Sequence, residues 1–160
     1  MPQDDATLAR FVDAQAGVID TVRAELRAGR NRSHWMWFVF PQLRGLGHSE
    51  MAWRYGLASL DEARAYAAHP LLGPRLQDCT ALMLAHAGQA VRDILGRPDD
   101  LKFQSCMTLF AQADPGQPLY RRALDAFFGG QPDAGTLRLL RQPAHGAAAA
   151  GKAGRDDGDR

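Results

Sequence analysis

The chain has 160 residues, 46% of them hydrophobic and 23% charged, which is enough for one domain with a real core and too few for two. Nineteen Lys and Arg against 18 Asp and Glu leave a net charge of +1, a balance that argues against a dedicated nucleic-acid or acidic-membrane surface. No run approaches the roughly 18 apolar residues of a membrane span, residues 1–5 lack the basic start and apolar run of a secretion signal, and the two cysteines, Cys79 and Cys106, set up no disulfide framework, so a cytoplasmic globular domain is expected.

Ala and Leu dominate while Val, Ile and Thr are scarce, and the Gly and Pro residues fall between periodic segments. That composition favours helix over sheet, and an all-α or nearly all-α fold follows. In chain order, Leu8, Phe11, Val18, Ile19, Val22 and Leu26 recur at helical spacing. They predict a first helix from about Thr7 to Ala28, stopped by Gly29. An irregular stretch, Arg30 to Ser33, leads into the aromatic run His34 to Phe40, which Pro41 breaks. Gly45-Leu46-Gly47 reads as a turn, Ser49 as an N-cap, and Glu50 to about Leu57 as a short helix.

Ser59 and Glu62 have capping-box spacing and start a helix ending near His69. Pro70 can open the next, with Leu72, Leu76, Cys79 and Met83 on one stripe and its end before Gly88. A brief helix is predicted over Gln89 to Leu95. Another opens near Pro98, with Asp99 and Asp100 favourably placed at its N-terminus, and runs to about Ala113. Pro118 starts one more, ending at Gly129-Gly130, and Asp133 can cap a last helix through Leu140. A single helical domain is thus expected over 6–141. Over 142–160 there are no periodic apolar residues to offset ordering entropy, and a disordered tail is expected.

The segment Ser33-His34-Trp35-Met36-Trp37-Phe38-Val39-Phe40-Pro41-Gln42-Leu43, with Gly45-Leu46-Gly47 and Lys102 to Phe110, resembles a bacterial family catalogued as domain of unknown function 1810. Phe11, Gln15, Glu62-Ala63, Tyr66, His69-Pro70 and Arg75-Leu76 join the resemblance, which covers about Ala6 to Leu140. It implies one mainly helical domain and no established reaction. Some members carry a calpain-inhibitor label, but nothing here looks like disordered inhibitory repeats. A looser likeness runs to the NADAR domains, helical N-glycosidases of ADP-ribosyl compounds; it rests on the order Ser49-Glu50, Glu62-Ala63, Arg75-Leu76 and Lys102-Phe103, and would put Glu50 where their motif has its acid.

Several residues stand out as candidates for chemistry. Gln15 falls within the apolar arc of its helix, and a buried amide needs partners for both ends: either a neighbouring backbone, such as the aromatic turn, or a polar pocket. Trp35 and Trp37 read first as core, yet an indole in a cleft can stack on a base or sugar. His34, at the entrance to this run, could donate a proton near neutral pH. Lys102 borders the arc of Phe103, Cys106, Met107 and Phe110, with Ser105 one turn on. It either snorkels, pairs with Asp99 or Asp100, or points inward toward an anionic ligand. Cys106 reads as an inert core thiol, and the histidines show no metal-ligand pairing, so no metal and no cofactor are expected. Arg27, Arg30, Arg32 and Arg44 bracket the aromatic turn and suit a single phosphate better than a duplex.

Two functions follow as expectations. One is a polar-aromatic pocket formed by Gln15, Trp35, Trp37, Gln42, Lys102 and Ser105 that binds a small anionic, nucleotide or ADP-ribosyl-like compound. If it is an enzyme, it is a hydrolase or transferase with His34 or Glu50 moving the proton. The other is a protein-interaction module in which the aromatic run forms an exposed patch with an arginine rim.

Overall fold

In the computed structural model, residues 5–142 are described, and all regular structure among them is helical. Ten helices follow in order: α1 (Asp5–Ala16), α2 (Ile19–Ala28), α3 (Met36–Val39), α4 (Glu50–Arg54), α5 (Leu60–Ala68), α6 (Leu72–Leu84), α7 (Val91–Leu95), α8 (Asp99–Ala113), α9 (Leu119–Phe128) and α10 (Ala134–Arg141). The all-α fold is as the composition indicates. Sheet-like pairing among the described residues is limited to one parallel bridge, Leu43 to Leu57. There Arg44 N donates to Leu57 O at 2.7 Å and Leu57 N to Gln42 O at 3.0 Å. None of these helices is long and apolar enough to cross a membrane.

α8 is the axle of the fold. Lys102, Phe103, Ser105, Cys106, Met107, Thr108, Leu109 and Phe110 are all buried, so this helix is covered around its circumference and not only along the apolar arc of its sequence. The reason is its neighbours: α5, α7, α9 and α10 all pack on it. Aromatic edges fill the space between, with Phe40 and Phe103 T-shaped at 4.9 Å and Tyr66 tilted on Phe110 at 5.4 Å. Burial pushes the Cys79 thiol up to about 12 and Cys106 well above its ordinary value, so neither is a thiolate at neutral pH.

The structure corrects several helix boundaries. The single helix expected over Thr7 to Ala28 is two, parted at Gly17-Val18, where Val18 leaves helical geometry at φ −127°. Gly17 weakens a helix interior by about 1 kcal/mol, and the break lets α1 pack on α3 while α2 packs on α6. The helix from Glu50 ends at Arg54 and not Leu57, because the Leu43 bridge takes Leu57. The helix placed at Pro70 starts two residues later. His69 Nδ1 accepts from Leu71 N at 3.1 Å and Leu72 N at 3.2 Å, so an imidazole does the capping. The short helix expected from Gln89 starts at Val91. The side chains of Ser49, Ser59 and Asp133 cap their helices. Gln142 closes α10, and the rest of the expected tail lies outside the described residues.

An ion pair joins the ends of the molecule's first half. Arg10 on α1 meets the buried Glu62 of α5 at 3.2 Å and also donates to the carbonyls of Thr7, Arg54 and Gly56. Glu62 Oε1 in turn accepts from Ala58 N at 2.8 Å, one residue before the Ser59 cap.

The turn between α5 and α6 depends on Gly73, where a Cβ would lie 2.2 Å from the Ala67 carbonyl oxygen. Gly73→Ala is therefore expected to destabilise by about 1–3 kcal/mol, read as a lower thermal midpoint. Gly88→Ala, where a Cβ meets nothing within 4 Å, serves as the control and should leave the midpoint unchanged or slightly raised.

Candidate functional site

The residues singled out by sequence separate into three environments. Gln15 is buried at a junction of four helices. Its Nε2 donates to Phe38 O at 2.7 Å and approaches the Tyr66 hydroxyl at 3.1 Å, and its Oε1 accepts from Arg75 at 3.2 Å. The amide is thus occupied at both ends, tying α1 to α3, α5 and α6. Burial, the Cys106 thiol and further buried neighbours push the Tyr66 phenol far above its ordinary value, against the lowering effect of the Gln15 bond.

Trp35 belongs to a second environment. It is 1% exposed, and its indole N–H donates to Glu25 Oε1 at 2.8 Å. The same carboxylate accepts from Arg32 N at 2.8 Å, Ser33 N at 3.0 Å and the Ser33 hydroxyl at 2.6 Å. Glu25 near the end of α2 thus gathers the irregular stretch and fixes where α3 begins. Partial burial raises its pKa, but these four bonds outweigh that and hold it at about 2.

Trp37, Gln42 and Lys102 form the third environment. Together with Phe40, Ala52, Tyr55 and Gly56 they line one crevice between α3, α4 and α8. Its free volume is about 10 Å³, room for one water. Gln42 is buried there, while Trp37 is half-buried at the mouth. The Lys102 side chain is only 8% exposed. Its Nζ donates to Asp99 Oδ1 at 3.3 Å and sits 4.6 Å from the Trp37 ring centroid. The other Asp99 oxygen accepts from Asn31 Nδ2 at 2.9 Å, while Asn31 Oδ1 is a buried acceptor with no donor among the described residues. Lys102 does not snorkel, because α3 and α4 cover it; α8 turns it inward and Asp99 compensates it.

Ser105 stays outside that crevice: it is buried, and its hydroxyl donates to Leu101 O at 3.1 Å within α8. His34 and Glu50 are exposed and neither lines the crevice. Asn31, Tyr55 and Gly56 were not picked out by sequence. Asn31 sits in an aperiodic loop, and the other two reach the crevice only through the Leu43 to Leu57 bridge. No group of three or more His, Cys, Asp or Glu converges among the described residues.

Fold and site together define an all-helical domain in which a buried lysine, paired with a half-buried aspartate, faces a tryptophan. The chain belongs to the DUF1810 family of proteins of unknown function, whose model matches residues 5–140. Among solved structures it is similar to the conserved hypothetical protein Rv1873 from Mycobacterium tuberculosis: 54% identity, TM-score 0.83, covering 85% of this chain and 97% of that one. A search of curated proteins finds no match.

Two expectations follow. Gln15→Leu should cost about 1–3 kcal/mol by leaving Phe38 O and the Tyr66 hydroxyl without their donor, seen as a lower unfolding midpoint in urea. Since the Glu25 pKa is lowered from 4.5 to about 2 in the fold, its stabilisation is complete above about pH 4.5 and is lost as pH falls toward 2. Acid titration of stability should show this loss in the wild type and lack that component in Glu25→Gln.

Proposed function

We propose that the domain binds a small anionic ligand at the Trp37–Lys102 crevice. The observation that supports this reading is the state of Lys102. Its ammonium carries three donors in a covered position, with one acceptor at 3.3 Å and a ring face at 4.6 Å. A phosphate or carboxylate oxygen at the crevice mouth takes the remaining donor in a low-dielectric setting, where a charge-assisted hydrogen bond is strong. The crevice holds about one water, so a single anion oxygen reaches Lys102 while the rest of the ligand stays at the mouth, a planar moiety lying over the half-buried Trp37. A nucleotide or ADP-ribosyl-like compound has both parts. Gln15, Trp35 and Ser105 support this site by holding α3 and α8 rather than by touching ligand. Hydrolysis would require His34 or Glu50 to approach with the substrate bound. The reading takes the protein to act in the cytoplasm, in keeping with its two free cysteines.

The test is a thermal-shift panel of ADP-ribose, NAD, mononucleotides, sugar phosphates and inorganic phosphate. A ligand at 100 times its dissociation constant stabilises by about 2.7 kcal/mol. The shift should vanish in Lys102→Met and grow in Asp99→Asn, which removes the competing carboxylate. If no compound shifts the wild type, or Lys102→Met responds as the wild type does, the lysine is only an internal ion-pair partner.

A further inference from the structure

A second surface lies on the outer side of α4. Trp53 is 64% exposed, the most exposed large apolar side chain among the described residues. The Arg44 guanidinium stacks on it, 4.4 Å from the ring centroid, and Arg44 Nε donates to Trp53 O at 2.9 Å. One face of the indole is thereby backed and held while the rest stays open to solvent. Arg54, one residue on, is exposed and has no carboxylate within ion-pair distance among the described residues.

The turn that carries Arg44 rests on α10. A Cβ at Gly45 would lie 3.5 Å from Leu139 Cδ1, and one at Gly135 would lie 3.2 Å from Leu46 Cδ2 and 3.9 Å from an Arg138 η-nitrogen. This contact sets Arg138, exposed and also without an ion pair among the described residues, beside the turn that carries Arg44. The chain-wide charge of +1 conceals this grouping: Glu62 pairs with Arg10, Asp61 with Arg64, Asp99 with Lys102 and Asp100 with Arg97, and the acid on α4 is the exposed Glu50 at its start, set against three arginines.

The geometry points to a binding surface for a short stretch of single-stranded nucleic acid, with one base stacked on Trp53 and the neighbouring phosphates held by Arg44, Arg54 and Arg138. A sequence-tolerant stacking platform beside unpaired guanidinium groups is the chemistry that such a strand needs. A protein partner fits less well: interface cores bury several hundred Å² of apolar surface, and here one indole stands alone among charges. A free small molecule would favour a concave site, and Trp53 lines neither the Trp37–Lys102 crevice nor the two clefts beside α9.

The experiment is fluorescence anisotropy of the full chain with fluorescein-labelled oligothymidylate and oligouridylate of about ten nucleotides, at low and moderate salt. Binding is expected at low salt, falling with log salt at a slope of about −0.7 for each phosphate neutralised. Trp53→Ala should weaken it about tenfold, Trp53→Phe should retain most of it, and Arg54→Glu with Arg138→Glu should flatten the salt dependence. All these side chains are exposed, so an unchanged thermal midpoint checks the fold. Absence of binding by the wild type at low salt, or a Trp53→Ala variant that binds as well, overturns the proposal. Binding of a polyglutamate peptide but neither oligonucleotide overturns it in favour of an acidic protein partner.

Discussion

The amide of Gln15 is the constraint on which the arrangement of helices depends. A primary amide offers two donors and an acceptor, and in the interior each must find a partner with fixed geometry. Here the partners are a carbonyl of α3, a phenol of α5 and a guanidinium of α6. Hydrophobic contacts tolerate sliding; these bonds do not, so one side chain sets the register of α1 against three other helices. The same amide donates to the Phe38 carbonyl and so fixes α3, and hence the rotation that puts Trp35 inside and Trp37 at the crevice.

The second organising element is α8, which carries polar groups into the middle of the molecule and satisfies them locally. Ser105 and Thr108 return their hydroxyls to carbonyls one turn back, at 3.1 and 2.8 Å. Lys102 is different, because its charge has to be balanced by another side chain. Asp99, one turn earlier, supplies that balance and is itself held by Asn31 from the loop that Glu25 organises. The crevice is therefore coupled to the α2–α3 loop through a short chain of polar contacts, and the placement of Lys102 is inherited from the order of that loop.

Much of the fold was legible in the sequence, because helix starts and stops are local chemistry. Ser49, Ser59 and Asp133 cap the helices they precede, and Gly29 and Gly129 end theirs in left-handed geometry. The errors fall where distant contacts decide. The break at Gly17-Val18 serves packing on α3 and α6, and the early end of α4 serves a bridge to Leu43, neither of which periodicity reveals. For the candidate site, Trp37, Gln42 and Lys102 come together as grouped, while Gln15, Trp35 and Ser105 sit elsewhere in the packing. Residue type marked them as unusual, but only the fold decides which face meets which. Trp53 went unnoticed because no local pattern distinguishes an exposed tryptophan from a buried one, and Arg44 reads from sequence as part of the aromatic turn while the fold stacks it on Trp53.

The spacing of Gln15's partners along the chain has a consequence for synthesis. The amide closes on residues 38, 66 and 75, and the axle on which α5, α9 and α10 pack spans Asp99 to Ala113. A chain emerging from the ribosome has made α3, α5 and α6, and with them every partner of the Gln15 amide, before any of α8 exists. Domains fold as units during synthesis, and here the contacts among α1, α2, α3, α5 and α6 precede those that α5 makes with α8. The faces of α5 and α7 that pack on α8 stay open until α8 has left the exit tunnel, so completion of the core waits on the second half of the chain.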